Sequence, residues 1–278
     1  LDALRQQEYQ GYLEVVVVND RSEDCTAALV SAAAREWPRL KLVDAPLELR
    51  FSCPKKSALA TGIEQSSGSL LLFTDADCQP PPGWVGSMVA QFEPAVGLVA
   101  GYAYFPRPQL LRHKLLALDN LAIGALGAGS FGMGVALSAT GRNLAYRRKV
   151  YDELGGFTRI GHLTGGDDVY FARLVGRCTA WQMRFNRAPA ASVPNALPSR
   201  RWGEIIQQKL RHAGKAGHYK GGARVLGAAI YLFHACLAVG IVEWAINGET
   251  TGAVAWIFRS FAHIALLWRF AARWERRL

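Results

Sequence analysis

The sequence predicts an α/β fold, a mostly parallel sheet flanked by helices, followed by C-terminal interfacial and membrane-crossing helices. Three observations carry that expectation. Residues 13–18 and 70–73 are near-continuous apolar runs, the pattern of strands covered on both faces. Stretches with helical spacing separate these runs, so strand and helix alternate. Apolar residues then concentrate toward the C-terminus, where residues 225–246 contain only His234 and Glu243 as ionisable groups.

The chain of 278 residues is long enough for one core of roughly 200 residues plus an appended part. Its formal net charge of +10 would suit nucleic acid if it were spread along a groove. Instead, residues 200–224 carry seven basic residues and one acid, and residues 269–278 carry four arginines and one acid. The excess charge flanks the C-terminal apolar segments, which is a membrane-topology signal and argues for no nucleic-acid partner. Five scattered cysteines without a CxxC pair argue against a disulfide framework or zinc site and fit a reducing compartment. The chain starts on Leu1 in a weakly helical stretch, which predicts that an upstream segment precedes it.

In order along the chain, residues 13–18 form a strand that ends in Asn19-Asp20-Arg21-Ser22. A helix follows with Ser22 or Asp24 as N-cap and Ala27, Val30, Ala34 and Trp37 at helical spacing. Residues 40–43 read as a short strand, 55–65 as a helix, and 70–74 as a strand that stops on Asp75 and Asp77. This order implies parallel strands joined by right-handed crossovers. Asp20, Asp75 and Asp77 would then gather along the carboxyl edge of the sheet, where such folds bind ligands. Pro80-Pro81-Pro82 forces an extended turn before a helix over 84–92, and 96–105 reads as a further strand. Residues 110–126 are helical in pattern and run into Gly124, Gly127, Gly129, Gly132 and Gly134, read as close helix packing or a loop because no phosphate-loop order surrounds them. A helix ending at Leu154 is closed by Gly155-Gly156, and Gly165-Gly166-Asp167-Asp168 opens another. A strand over 180–186 and a basic amphipathic helix over 200–212, suited to a membrane interface, follow.

Residues 225–246 and 252–270 then read as two spans, the second interrupted by Arg259 and His263, with a buried helical hairpin as the alternative. Both outer ends are basic and the connection Asn247-Gly248-Glu249-Thr250 is not, which predicts that the soluble domain lies in the cytoplasm, at the inner or plasma membrane in a bacterium.

Two acids one residue apart at a strand end repel unless a cation lies between them. A hard divalent ion, Mg²⁺ or Mn²⁺, prefers such carboxylate oxygens to imidazole or thiolate, so Asp75 and Asp77 are the candidate metal ligands. Lys55 would offset the charge of a phosphorylated ligand, or is simply a solvated lysine beside Lys56. Asp167 and Asp168 stand at a helix start, where the dipole favours acids, so one of them is either a structural cap or a chemical group.

Over roughly residues 13–219 the pattern resembles the family 2 glycosyltransferases, inverting enzymes of the GT-A fold that use nucleotide-sugar donors. Asn19-Asp20-Arg21-Ser22 resembles the acidic motif that contacts the nucleotide base, and Lys55 with Ala58-Leu59 the family's Lys-x-x-Ala-Leu segment. Asp75-Ala76-Asp77 resembles the metal and diphosphate motif, and residues 141–147 an acceptor-side segment. Gly166-Asp167-Asp168 resembles the motif whose second acid is the general base, and Gln208-Lys209-Leu210-Arg211-His212 the Gln-x-x-Arg-Trp motif of membrane-embedded members. The resemblance implies a nucleotide-sugar site of Asp20, Lys55, Asp75, Asp77 and Arg211, with Asp168 as base and Asp167 as second choice. Arg211 would hold the departing diphosphate, or else a phospholipid headgroup.

The implied donor is a nucleoside-diphosphate sugar, UDP favoured, and the implied acceptor is lipid-linked or a polysaccharide, with membrane lipids as further partners. Cys25 stands where glycine is common, Arg142 where a small residue is common, and His212 where the motif has Trp, which argues against processive polymerisation. The strand that opens such folds is absent from this chain, again predicting N-terminal incompleteness. The expected layout is a glycosyltransferase domain over 1–199, an interface helix over 200–224, and two transmembrane helices with a basic tail over 225–278. Two other readings stay open: a nucleotidyltransferase, and a catalytically silent sugar-nucleotide-binding scaffold at the membrane.

Overall fold

A computed structural model describes residues 1–106, 108–196, 202–203, 205–207, 210 and 222–272. The chain divides into two compact units, Leu1–Gln109 with Leu116–Leu197, and Leu110–Leu115 with Pro198–Leu278.

In the first unit, a short helix α1 (Asp2–Arg5) leads to β1 (Val15–Asn19), α2 (Thr26–Glu36) and β2 (Leu40–Asp44). β1 and β2 pair in parallel from Val15↔Leu40 to Asn19↔Asp44. Their apolar side chains close against α2, where Val15, Val30 and Leu40 form a buried cluster. Asp24 accepts the Thr26 amide at 3.0 Å, so it serves the helix start although the N-cap position itself falls on Cys25. α3 (Pro54–Glu64) opens with Pro54 in its first turn, a place where proline loses no helical hydrogen bond, and packs on β1.

The main sheet runs β3-β6-β4-β7, made of β3 (Leu70–Phe73), β4 (Val96–Gly101), β6 (Leu144–Arg147) and β7 (Gln182–Asn186). β4 is buried along its whole length and packs with β6 against Trp84, Val85 and Met88 of α4 (Trp84–Val89). A small parallel pair, β5 (Ala103–Tyr104) with β8 (Val193–Pro194), lies beside it in sequence. α5 (Leu111–Gly132), α6 (Arg148–Glu153) and α7 (Val169–Cys178) complete the set. Beneath the sheet's ligand end, Phe73 stacks on Tyr146 at 4.7 Å and Tyr146 meets Phe171 at 4.6 Å, a pairing that stabilises by about 0.5–1.5 kcal/mol beyond simple burial.

Three of the five strand pairings are parallel, and the α/β class holds. Some details differ from the sequence reading. β3 lies next to β6, which runs antiparallel to both β3 and β4, and in β3 only Leu71 is buried. An apolar run reports burial but is silent on the direction of the neighbouring strand. β6 itself was not foreseen as a strand, since Arg147 and Arg148 interrupt its apolar signal after three residues; those guanidiniums are absorbed by carbonyls, Arg147 by Val96, Phe92 and Glu93, and Arg148 by Ile63, Ser66 and Gly68. The expected strand over 96–105 divides into β4 and β5. Of the glycines after residue 123, Gly124, Gly127, Gly129 and Gly132 lie within α5, as the helical alternative had it, while Gly134 falls in the turn beyond it with φ of +72°.

In the second unit, α8 (Gly222–Asn247) and α9 (Thr250–Ala271) form an antiparallel pair around Gly248. Gly240 and Gly252 bring the two backbones into contact, and Arg259 Nη2 meets His234 Nε2 at 2.6 Å. Among the described residues three helices are long and apolar enough to cross a membrane: Leu111–Gly132, Gly227–Asn247 and Thr250–Ala271. The sequence reading had the last two and not the first. The expected interface helix is helical at its few described positions, while Gln208, Lys209, Arg211 and His212 lie outside the described residues.

Candidate active site

Two neighbouring lysines at the start of α3 organise the site. Lys55 Nζ donates to Asp75 Oδ1 at 2.7 Å and lies 3.9 Å from Asp167 Oδ2. Burial on its own would lower the Lys55 pKa, but the Asp167, Asp75 and Asp168 carboxylates outweigh it and hold the ammonium above its ordinary value. Lys56 points the other way. It is fully buried and donates to Ile160 O at 2.6 Å and Leu163 O at 2.7 Å, pinning the chain that leads to the second acid pair.

That chain reaches α7 through Gly165 and Gly166, whose φ of +80° and +74° lie in the left-handed region that side-chain-bearing residues avoid. A Cβ on Gly166 would also collide with the Tyr170 ring. The result is that Asp168 caps α7: its Oδ1 accepts the Val169 amide at 2.6 Å and its Oδ2 accepts the Gly141 amide at 3.1 Å. Asp167 is only 8% exposed. Its burial, then the Asp168 charge, push its carboxyl above the usual range, with Lys55 pulling the other way. Gly141 passes directly against the pair, since a Cβ there would sit 3.2 Å from Asp167 Oδ2 and 3.3 Å from Lys55 Nζ.

The turn after β3 is looser. Asp77 is exposed, with the Cys78 thiol 3.6 Å from its Oδ1. Burial pushes Cys78 up to about 11, so the thiol stays protonated and acts as a weak donor. Among the described residues no group of three or more His, Cys, Asp or Glu side chains is placed to hold a metal ion, so Asp75 and Asp77 offer two hard oxygen sites that a ligand's own oxygens would have to complete. A cavity of about 20 Å³ lined by Lys55, Thr74, Asp75, Gly141, Tyr146 and Asp167 is far too small for a nucleotide, which would lie over these loops.

The structure thus gathers Lys55, Asp75, Asp167 and Asp168, with Asp77 on the same turn. Asp20 is different. It follows β1 and pairs with Arg21, and β1 with β2 forms a hydrogen-bonded sheet separate from the one that holds β3. Sequence reading missed Lys56 as the clamp on the second loop, since a lysine in a Lys-Lys pair gives no sign of which one is buried. It also missed Asn143, which is buried, donates to Tyr102 O and Ala191 O, and accepts from Trp84 Nε1 at 3.0 Å, fixing the backbone two residues after Gly141.

With this geometry in view, comparison with known proteins is informative. The chain is 28% identical over 221 residues to Glycosyltransferase AglE of Haloferax volcanii, covering 76% of this chain and 65% of that protein. It is 32% identical over 145 residues to the undecaprenyl-phosphate 4-deoxy-4-formamido-L-arabinose transferase of Pseudomonas fluorescens, covering 51% of this chain and 39% of that protein. The chain therefore spans between about two-fifths and two-thirds of the length of these curated relatives. A mannosyltransferase from Pyrobaculum calidifontis, solved in complex with GDP-Man and Mn²⁺, matches with a TM-score of 0.57 over 98% of this chain and 81% of that one at 24% identity, which shows the shared fold. The family model for glycosyl transferase family 21 matches residues 1–277, so the glycosyltransferase resemblance drawn from the motifs holds and the chain belongs to glycosyl transferase family 21.

Proposed function

We propose that the chain transfers a sugar, with inversion, from a nucleoside-diphosphate sugar to a hydroxyl of a lipid-linked or polysaccharide acceptor at the cytoplasmic face of a membrane. The observation that carries this is the meeting of two acid-bearing loops at Lys55, 2.7 Å from Asp75 on one side and 3.9 Å from Asp167 on the other. On the first side, Asp75 and Asp77 grip the donor diphosphate, together with Lys55 and, from the sequence resemblance, Arg211, while Asp20 contacts the nucleotide base. Carboxylates fit Mg²⁺ or Mn²⁺, and a divalent ion bound there would offset the charge gained by the departing diphosphate. The solved relative's Mn²⁺ and GDP-Man are consistent with such a site, and GDP joins UDP as a candidate donor base.

On the second side, Asp168 is the general base. It is half-buried and therefore reachable by an acceptor hydroxyl, whereas Asp167 is buried against Lys55. The two amides on Asp168 orient its carboxylate and leave lone pairs for the incoming proton. Asp167 holds Lys55 between the loops. The domain layout follows: a transferase domain over 1–199, a basic interface helix over 200–224, and membrane helices over 225–278, with the long apolar α5 as a further contact to lipid. The similarity to the P. fluorescens undecaprenyl-phosphate 4-deoxy-4-formamido-L-arabinose transferase supports a lipid-linked acceptor.

The test is a panel of UDP-, GDP- and dTDP-sugars offered to the full chain in detergent with Mn²⁺ or Mg²⁺. Release of nucleoside diphosphate that requires acceptor and is abolished by EDTA is the expected result. Binding of every donor without turnover, or turnover indifferent to EDTA, would overturn the reading or its metal component respectively.

A further inference from the structure

Arg142 stands where a small residue is common in the family pattern, and it is held in a defined place. Its Nε donates to Thr140 Oγ1 at 3.1 Å, and its Nη2 donates to Asn120 Oδ1 at 2.9 Å. Asn120 is itself buried and commits its amide to Ala103 O, so its oxygen is a fixed acceptor. The Phe105 ring lies 5.8 Å from the guanidinium carbon. All these partners are neutral. Among the described residues Arg142 forms no ion pair, and its Nη1 has no protein partner although it is not buried.

Ordering a long arginine against neutral groups costs side-chain entropy without a Coulombic return. The arrangement makes physical sense if a ligand supplies the anion, because a guanidinium with an open edge is suited to phosphate oxygens. Location narrows the kind of phosphate. The preceding residue, Gly141, bonds Asp168 Oδ2, so Arg142 lies on the side of the base, while Lys55 is already committed to Asp75 and Asp167. Asn120 belongs to α5, one of the three helices apolar enough to meet lipid.

We propose that Arg142 binds a phosphate group on the acceptor's lipid carrier, through Nη1, with Thr140, Asn120 and Phe105 holding the guanidinium in place. This rests on the glycosyltransferase reading and deepens it by making the acceptor an anionic lipid. The phosphate sets the acceptor's register so that a sugar hydroxyl, one ring away, reaches Asp168.

The experiment measures binding to the full chain in detergent of two probes, farnesyl phosphate and farnesol, alongside UDP and GDP with Mn²⁺. Wild type should bind farnesyl phosphate well above farnesol. Arg142→Gln, which can still hydrogen-bond Thr140 or Asn120, should weaken farnesyl phosphate by about tenfold to a hundredfold while nucleotide affinity stays within about twofold. Arg142→Lys keeps the charge but not the fork and should fall in between. Retained nucleotide binding doubles as the control for folding. Equal binding of farnesol and farnesyl phosphate by wild type, or an unchanged farnesyl phosphate affinity in Arg142→Gln, would overturn the proposal. Loss of nucleotide binding with farnesyl phosphate unaffected would also overturn it, since the anion at Arg142 would then be the donor's. Arg142-dependent farnesyl phosphate binding in a chain that binds no nucleotide would support the phosphate site and sink the transferase reading instead.

Discussion

The two acid-bearing loops of the site are built in opposite ways. After β3, Asp77 is exposed with a weakly donating thiol beside it, and Asp75 is answered by a single lysine. Before α7 the backbone is shaped by Gly165 and Gly166, clamped by Lys56, and closed by Asp168 accepting two amides. The first loop leaves carboxylate charge for a ligand to complete; the second is finished without one. On the proposed function the first loop is a donor grip, which can adjust to the diphosphate it binds, and the second carries a base, which must already be aimed when the acceptor arrives.

The largest break in that contrast comes from Asp168→Asn. Asparagine keeps a capping oxygen for the Val169 amide and gives up the Gly141 contact at about 1–3 kcal/mol, so the fold should persist, yet the proposed proton acceptor is gone. Transfer should drop by about 10²–10⁴-fold with nucleotide affinity unchanged, read by product formation and by nucleotide titration. Full transfer by this variant would move the base elsewhere, with Asp167→Asn the next variant to assay.

Lys56→Met attacks the second loop from beneath. The Ile160 and Leu163 carbonyls lose a charged donor, which should cost about 2–3 kcal/mol in chemical denaturation. Because the loop places the base, kcat should fall more than donor affinity. A variant as stable as wild type would mean the loop holds its shape without the clamp.

Asp77→Ala should act on the first loop alone. An exposed residue with no strong partner contributes within about 0.5 kcal/mol to stability, so the melting temperature should not move. Nucleoside diphosphate affinity in Mn²⁺ should fall by about tenfold, one charge-assisted contact's worth. An unchanged affinity would remove Asp77 from the grip.

The contrast also explains what could be read in advance. Asp75 and Asp77 stood out because an apolar run that stops on two acids is a local signal, and Gly165-Gly166-Asp167-Asp168 because glycines before a helix are. The strand that joins the two halves, β6, was hidden by Arg147 and Arg148, whose charges look like surface in the sequence and are satisfied by carbonyls more than 50 residues away. The insertion of β6, antiparallel, between β3 and β4 and the burial of Lys56 rather than Lys55 were equally beyond local pattern, since each depends on a partner distant in the chain. Asp20 was placed beside Asp75 by the assumption of one continuous parallel sheet, and β1 with β2 instead stands apart from β3 in its pairing.

Acid should separate the two loops by a route that touches neither. Glu14, just before β1, reaches across to the residues that precede β3: its Oε1 accepts from Ser67 N at 2.5 Å, Ser67 Oγ at 2.8 Å and Gly68 N at 3.0 Å, and its Oε2 pairs with Lys41 at 2.9 Å. Burial alone would raise its pKa, but Lys41 and the Ser67 and Gly68 donors outweigh it and push the carboxyl down from 4.5 to about 2. A folded pKa below the unfolded one means that the stabilisation is fully present above pH 4.5 and is lost as pH falls through about 2. Amide exchange at Ser67 and Gly68, normalised for intrinsic rate, should accelerate across that window in wild type, while Glu14→Gln should start faster at neutral pH and show a flatter profile. The Lys56 clamp on the other loop uses carbonyls, which do not titrate there, and should keep its protection. Identical pH profiles for wild type and Glu14→Gln would mean that Glu14 does not anchor the strand carrying Asp75 and Asp77.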